Sequence, residues 1–517
     1  MKSQPLLSDR EQDLLEAVSR LAYGNPFGPE RIEWERQALG DEFVASDLVW
    51  HSRADSTNPN VPRIAARAEE LAGVLRERFA GARPAREQRE LLGLYFDLVL
   101  YVLYGRYQAR LFAVISDPIA GERRAAFSFY RDFAEDLGWF LDIPPLRREE
   151  TPDPAHLFAC IFQIRRAFHF TFRSIVGGSL PAARLRGQVW QSIFTRDLRR
   201  YQRGLYRTLG DVTTLVTGPS GTGKELVARS IAWSRYIPFD AASATFRESW
   251  KESFFPLNLA ALSPTLIESE LFGHRRGAFT GAVADHSGWL EVCPPLGTVF
   301  LDEIGEVEPA IQVKLLRVLE TRTFQRLGES QTRRFQGKVV AATNRDLAAE
   351  MKAGRFRDDL YYRLCSDLLV TPSLSERIAD SPRELSDLLL FLAQRTVGDE
   401  LAEELAREVE GWIRANLGFD YPWPGNVREL AQCVNNILIR GEYQPAGDGG
   451  ALGVRERLSQ EYLSSALSAD DLLRRYCTLV YARAGSYEEA ARRLGLDRRT
   501  VKSRVDPILL RELGTGG

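Results

Sequence analysis

Lysine is scarce in this 517-residue chain. It occurs only at Lys2, Lys224, Lys251, Lys314, Lys338, Lys352 and Lys502, and arginine supplies the rest of the 68 basic residues. A phospho-acceptor receiver domain needs a lysine beside an acidic pocket. None lies between Lys2 and Lys224, so the first third is not expected to be one. Cysteine is sparse too. Cys160, Cys293, Cys365, Cys433 and Cys477 include no Cys-x-x-Cys pair, which excludes a disulfide framework or a structural zinc and fits a reducing compartment. His51, His156 and His169 lack the spacing of metal ligands and read as structural histidines. There is no excess of one charge, with 68 basic against 70 acidic residues and a net charge of −2, so any charge that binds nucleic acid must be local. Long apolar runs are missing as well. The most apolar stretch, 91–104, is interrupted by Asp97 and is shorter than the roughly 20 residues that cross a bilayer. Met1-Lys2-Ser3-Gln4-Pro5 leads into charged residues without a signal-peptide pattern. A cytoplasmic protein with no membrane partner is expected.

The chain is long enough for three or four domains of about 100–200 residues each. Residues 1–176 are expected to be all-α, with apolar residues at three- and four-residue spacing over 11–23, 64–79, 86–114 and 122–141. Tyr95, Phe96, Tyr101, Tyr104 and Tyr107 form an aromatic stripe that reads as helical core rather than as a ligand pocket. From Gly177 the texture changes. Short strand candidates at 213–217, 254–258, 298–301 and 338–342 alternate with helices, which predicts an α/β layer with a parallel sheet. Residues 373–441 read as helical. Residues 442–470, with Pro445-Ala446-Gly447-Asp448-Gly449-Gly450, read as a linker, and 471–517 as a small all-α unit. The expected fold is therefore multidomain.

A β-prone run, Val212-Thr213-Thr214-Leu215-Val216-Thr217, enters Gly218-Pro219-Ser220-Gly221-Thr222-Gly223-Lys224-Glu225 and then a helix-like stretch. Strand, glycine loop and helix together make a phosphate cradle. Glycines let backbone N–H groups approach phosphate oxygens, the helix N-terminus adds positive potential, and Lys224 reaches the β- and γ-phosphates. Glu225 stands where a serine or threonine ordinarily offers a hydroxyl to Mg²⁺. A second strand, Thr298-Val299-Phe300-Leu301, ends in Asp302-Glu303. Asp302 is placed to hold Mg²⁺, and Glu303 to orient and deprotonate an attacking water. ATP and Mg²⁺ are the expected ligands.

Several further motifs follow in order: Glu268-Ser269-Glu270-Leu271-Phe272-Gly273-His274, Gly277-Ala278-Phe279-Thr280-Gly281-Ala282, Ala342-Thr343-Asn344-Arg345, Phe356-Arg357-Asp358-Asp359-Leu360-Tyr361-Tyr362-Arg363-Leu364 and Trp423-Pro424-Gly425-Asn426-Val427-Arg428-Glu429-Leu430. With the P-loop they make residues 177–441 resemble the AAA+ P-loop ATPase domain, with a helical lid over about 373–441, of the sigma-54-dependent transcriptional activators (bacterial enhancer-binding proteins). In that family Glu225 is the usual end of the loop. The resemblance implies that Gly277, Ala278, Phe279, Thr280, Gly281 and Ala282 contact sigma-54, and an exposed Phe279 would suit a contact surface. It also implies that Arg357 and Arg363 are fingers reaching the nucleotide of a neighbouring subunit, which requires a homo-oligomeric ring, expected to be a hexamer. Thr343 and Asn344 would be the first sensor, Arg428 the second, and Asn258 would couple Glu303 to the nucleotide. Four features depart from the family: Pro219 replaces a glutamate, Leu259 a cysteine and Ser375 an arginine, and 234–253 is long.

Residues 471–517 hold ten basic and six acidic residues, a local excess that the whole-chain charge hides. Helices are expected over 472–484, 487–494 and 498–505, with Gly485-Ser486 and Gly495-Leu496-Asp497 as breaks. This resembles the Fis-type helix-turn-helix at this end of the family. It implies that Arg498, Arg499, Thr500, Lys502, Ser503 and Arg504 meet double-stranded enhancer DNA.

The family resemblance implies a transcriptional activator that uses ATP hydrolysis to remodel the sigma-54 RNA polymerase holoenzyme at a closed promoter, with residues 1–176 restraining the ATPase. Two other readings stay open: a AAA+ remodeller of a different client protein, and a non-enzymatic DNA-binding repressor on the same fold.

Overall fold

The computed structural model describes residues 7–47, 49–50, 58–80, 89–117, 127–144, 146, 152–418, 420–445, 468–506 and 509–510. It divides into two compact units: Met1–Leu388 with Pro424–Arg428, and Leu389–Trp423 with Glu429–Gly517.

The first unit opens with helices α1 Asp9–Tyr23, α2 Glu30–Leu39, α3 Asn60–Ala80, α4 Arg89–Ser116, α5 Tyr130–Leu141, α6 Pro154–Ser174, α7 Leu180–Phe194 and α8 Leu198–Arg203. Local chemistry fixes their starts. Ser8 and Glu11 form a capping box on α1, Asp153 caps α6 ahead of Pro154, and Ser179 caps α7. Of the helix expected over 122–141, residues 122–126 lie outside the described residues, 127–129 form a turn and the helix begins at Tyr130; His51 also lies outside the described residues. Helix α4 spans 28 residues and overruns the apolar stretch 91–104. By length and composition alone it could cross a membrane. Polar residues do not stop it because each finds a partner. Buried Asp97 accepts a hydrogen bond from Ser19 Oγ at 2.7 Å and pairs with Arg199, while Arg106 meets Glu69 and Asp136.

The packing runs across the boundary expected near residue 177. The long connection 234–253 forms a two-stranded antiparallel ribbon that pairs Phe239 with Phe246. Both rings enter the aromatic core of the N-terminal helices. Phe127 lies 5.1 Å from Phe162 and 5.1 Å from Phe246, and Phe158 lies 4.7 Å from Phe239. Such ring pairs, edge-on for Phe127 and tilted for Phe158, add about 0.5–1.5 kcal/mol each beyond the area they bury.

Five strands follow: β1 Thr214–Thr217, β2 Phe254–Asn258, β3 Thr298–Asp302, β4 Lys338–Thr343 and β5 Asp367–Val370. All pair in parallel, in the order β2-β3-β4-β1-β5. Val299, Phe300, Leu301, Val339, Val340, Ala341 and Ala342 are all buried, as a parallel sheet covered on both faces requires. The register matches Asn258 to Asp302 and Thr217 to both Thr343 and Val370. The carboxyl ends of the strands therefore share one edge.

The second unit holds helix Asp399–Asn416 and most of helix Asn426–Arg440. In it Glu429 accepts from the hydroxyls of Tyr421 and Tyr443. The same unit carries three short helices, Ala469–Ala484, Tyr487–Leu494 and Arg498–Arg504, around Ala490, Ala491 and Val501. Gly485 and Gly495 end the first two at φ +69° and +65°, which a β-carbon would strain. Of the expected linker 442–470, residues 446–467 lie outside the described residues, as do Arg511 and Glu512 of the basic count.

One buried carboxylate ties the turn between α6 and α7 to helix Arg383–Val397. Glu384, fully buried, accepts from the N–H groups of Gly178 (2.7 Å) and Ser179 (2.9 Å) and pairs with Arg377. Arg377 also donates to Val176 O. Gly177 sits at φ +120° with the Glu384 carboxylate where a Cβ would be. Glu384→Ala leaves the buried Arg377 charge without its carboxylate, with only Val176 O to accept from it, and the Gly178 and Ser179 amides without an acceptor, and a loss of about 3–5 kcal/mol in stability is expected by denaturant titration.

Candidate active site

The glycine loop closes β1 and opens helix α9, Lys224–Trp233. Gly218, Gly221 and Gly223 take φ values of +140°, +76° and +92°. A Cβ on Gly218 would strike Thr371, and one on Gly221 would meet Gly425 O at 2.2 Å, so glycine is required on both counts. Lys224 Nζ donates to the carbonyls of Gly218 (2.9 Å) and Pro219 (3.1 Å). Burial holds this ammonium below the usual lysine range. The negative charges of Glu303 and Asp302 push it back up, and Arg428 opposes them. The Glu225 carboxylate turns away along its own helix to pair with Arg229, which removes the conflict with a triphosphate.

Arg428 Nη1 donates to Ser220 Oγ at 3.0 Å. Asn426, at φ +52°, donates to Ser220 O (2.9 Å) and accepts from Leu374 N (2.8 Å). Thr222 donates to Pro219 O at 2.8 Å, and its hydroxyl lies 2.7 Å from that of Thr371. Asn426 and Thr371 brace the loop and were not singled out from sequence. Asn426 lay inside a recognised motif, whereas Thr371 carries no signal beyond following a strand.

The acids stand at the same sheet edge. Burial raises the Asp302 carboxyl above the usual range, and the charges of Glu303 and Glu225 add to this. Glu303 has φ +56°, an uncommon conformation for a residue with a Cβ, and its N–H donates to Asp302 Oδ1 at 3.1 Å. Its own Oε2 accepts from Asn344 N at 3.4 Å. Thr343 is buried, and its hydroxyl accepts from Arg345 N. Asn258 is in register with Asp302, but its side chain accepts from Ala260 N at 3.0 Å. The hydrogen-bonded partner of Glu303 is thus the Asn344 amide, not Asn258.

The remaining expected residues lie apart from the loop. Arg357 pairs with Asp359, and Arg363 lies 3.6 Å from Glu320, both exposed. Neither is paired with the glycine loop among the described residues. Gln312, fully buried, fixes their helix by accepting from Arg357 N and donating to Val307 O and Arg355 O. Residues 277–282 form a closed turn, with Gly277 N donating to Ala282 O at 2.8 Å and Gly277 and Gly281 at positive φ. Phe279 is only half exposed. Its ring lies edge-on to His274, centroids 4.9 Å apart, so the expected exposed phenylalanine is instead tucked against its own loop. In the C-terminal helices Arg498, Arg499, Lys502 and Ser503 are exposed and Thr500 is half-buried. Arg504 pairs with Asp470 and Arg498 with Glu488. Arg499 and Lys502 have no acidic partner among the described residues.

The raised carboxyl of Asp302 has a sign that can be measured. A carboxyl shifted upward stabilises the fold while protonated and loses that contribution as pH rises through the shifted value. Asp302→Asn is therefore expected to melt at a higher temperature than the parent near pH 8 without nucleotide, with the gap closing toward pH 4.5. A gap that widens on acidification would contradict the assignment.

Residues 196–369 match the model of the Sigma-54 interaction domain family. The chain is 46% identical over 230 residues to the Nif-specific regulatory protein of Azotobacter vinelandii, a match covering 44% of this chain and 40% of that protein. It is 38% identical over 300 residues to the transcriptional regulatory protein ZraR of Salmonella typhimurium, covering 57% and 63%. The chain thus spans between two-fifths and two-thirds of the length of these relatives. A crystal structure of NtrX from Brucella abortus aligns at 22% identity over 71% of this chain and 76% of that one, with a TM-score of 0.40. The likeness to the Sigma-54 interaction domain family thus rests on residues 196–369, the segment that carries the parallel-sheet core.

Proposed function

We propose that the chain is a sigma-54-dependent transcriptional activator that hydrolyses ATP in a cytoplasmic homo-oligomeric ring, a hexamer, and remodels the sigma-54 RNA polymerase closed complex while held on upstream enhancer DNA. The observation that carries this is the convergence of Lys224, Asp302 and Glu303 at the carboxyl edge of the sheet. It is supported by the three positive-φ glycines, which leave room for phosphate oxygens. Residues 177–441 are the ATPase, with its lid over 373–441. Residues 1–176 restrain it, 442–470 link it, and 471–517 read DNA.

The donor set suits Mg²⁺. Asp302 is a carboxylate whose ionisation is opposed by burial and by two neighbouring acids, and a divalent cation relieves that opposition. Held by Asp302, the cation supplies neutralisation of the charge on the transferring phosphoryl group. Lys224 exchanges the Gly218 and Pro219 carbonyls for phosphate oxygens. The Glu303 carboxylate orients water and takes its proton at Oε2, while the Asn344 amide, now bonded to that oxygen, senses whether it is engaged. Arg428 reaches the same loop through Ser220. Thr343 holds the backbone that carries Asn344.

Arg357 and Arg363 act across a subunit boundary. Their pairs with Asp359 and Glu320 are exposed and screened by solvent, so exchange for a neighbour's γ-phosphate costs little. Phe279 is delivered to sigma-54 by the turn between Gly277 and Gly281. Arg499 and Lys502, free of acidic partners among the described residues, lead the contact with the duplex, and Arg504 sets the helix orientation through Asp470.

ATP turnover tests this reading. Glu303→Gln is expected to lose about 10²–10⁴ in rate with nucleotide binding kept. Arg363→Ala alone is also expected to be inactive. Mixing the two inactive chains restores about a quarter of the interfaces if the arginine works in trans, and no recovery would sink the ring mechanism. Phe279→Ala is expected to hydrolyse ATP at the parent rate and fail to open a sigma-54 promoter. Full promoter opening by this variant would point to a different client.

A further inference from the structure

The N-terminal helices enclose a cavity of about 780 Å³, within the usual range for small-molecule sites. Its walls are aromatic, with Tyr23, Trp34, Trp50, Tyr101, Phe168 and Trp190 among them. The sequence reading had assigned Tyr101 and Tyr104 to solid core. Tyr95 and Tyr107 are core, but Tyr101 and Tyr104 line this space.

Its polar groups are few and unevenly satisfied. Glu35, 2% exposed, is saturated by Arg31 Nη1 (2.8 Å), Asn58 Nδ2 (2.7 Å) and Asn60 Nδ2 (3.0 Å). Two arginines line the same space, Arg31, 4% exposed, and Arg165. The Nε donors of both are buried without an acceptor among the described residues. A buried donor left unmatched costs about 1–3 kcal/mol. Arg31 is the ion-pair partner of Glu35 and also donates to Asp47 O, so Arg165 is the charged group lining the cavity that has no acidic partner among the described residues. Both guanidiniums lie over aromatic rings, Arg31 at 4.5 Å from Trp50 and Arg165 at 4.6 Å from Phe112.

One wall leads to the phosphate cradle. Helix α6 lines the cavity with Leu157, Ile161, Ile164, Arg165, Phe168 and Phe172, a stripe at helical spacing. Its opposite stripe grips the end of α9. Fully buried Arg166 donates to Trp233 O (2.8 Å) and Arg235 O (2.7 Å), Gln163 donates to Ser234 O (2.9 Å), and Ser230 Oγ donates to Phe170 O (3.1 Å). The other end of α9 is Lys224.

We infer that this cavity is an effector site for a small aromatic acid, a flat apolar body with one carboxylate or equivalent anion, and that its occupancy is transmitted through α6 to the P-loop helix. The rings hold the body and the unmatched arginine donors hold the anion. An occupant displaces the Ile161 face of α6, and α9 must follow because its last turn is bonded to the opposite face. The coupling rests on the nucleotide reading of Lys224; the site itself does not.

Isothermal titration of the full chain with 2-naphthoate tests it, with 2-naphthalenemethanol as the uncharged control. Naphthoate is expected to bind about tenfold or more tightly than the alcohol. Ile161→Trp, which fills the cavity, is expected to abolish binding, and Ala65→Met, a milder filling, to weaken it, both with unchanged helical circular dichroism. Arg165→Gln is expected to erase the preference for the acid. A fluorescent ADP analogue then reports the coupling, as a several-fold change in its affinity on adding naphthoate that is absent in Ile161→Trp. No naphthoate binding, or binding indifferent to both filling variants, overturns the site. Naphthoate binding with unchanged ADP affinity overturns the coupling. A chain that binds naphthoate but no nucleotide refutes the reading of Lys224 and leaves the effector site standing.

Discussion

Parallel pairing in strict register is the constraint on which the other features hang. Thr217, Asn258, Asp302 and Thr343 end neighbouring strands at one edge because a slip by one residue would turn Val299, Leu301 and Val340 to the opposite face, out of the packing each now fills. That edge is where a parallel sheet gathers side chains from distant parts of the sequence. Lys224 is delivered there by a glycine loop, Asp302 and Glu303 by the end of β3, and Asn344 by the residue after β4. No one of these groups has chemistry alone. Their electrostatic interplay, with burial holding Lys224 down against the pull of Glu303 and Asp302, and burial and Glu303 together raising Asp302, is what distinguishes a site from a set of loop residues.

Much of this was legible in the sequence, because it is local. Glycines at fixed offsets before a helix, an apolar run ending in two acids, and capped helices separated by Gly485 and Gly495 are each written within about ten residues. What was not legible depends on partners far along the chain. A helix over 86–114 was expected and α4 runs Arg89–Ser116, but why its buried face tolerates Asp97 could not be read until Ser19 and Arg199 are beside it. The connection 234–253 looked merely long. Its Phe239 and Phe246 are part of the N-terminal aromatic core, a pairing across more than a hundred residues. Tyr101 and Tyr104 share a stripe with Tyr95 and Tyr107, and only packing separates those that fill the core from those that face a cavity.

The aromatic ribbon also bears on how the N-terminal helices relate to the ATPase sheet. A regulatory element joined by a flexible linker acts by colliding or by letting go. Here α6 and α9 share buried hydrogen bonds, and the ribbon rings enter the same core as Phe158 and Phe162. Interiors packed this densely are bistable rather than continuously soft. On the proposed reading, the N-terminal helices act by setting which packed arrangement α9 adopts.

The groups assigned to work between molecules share one property: each has a weak partner at home. Arg357 and Arg363 hold exposed carboxylates on their own chain, Phe279 rests edge-on against His274, and Lys224 donates to two loop carbonyls. A side chain with no partner would cost the isolated fold, and one with a strong buried partner could not be withdrawn by nucleotide. Weak, replaceable contacts of this kind lie between these limits. On the proposed reading, several such exchanges made together would bias a two-state loop toward one arrangement while leaving the sheet beneath untouched. Glu384 with Arg377, and Arg166 beneath α9, mark the opposite design. Those interactions are buried and multiply bonded, and they hold the frame against which the exchangeable groups move.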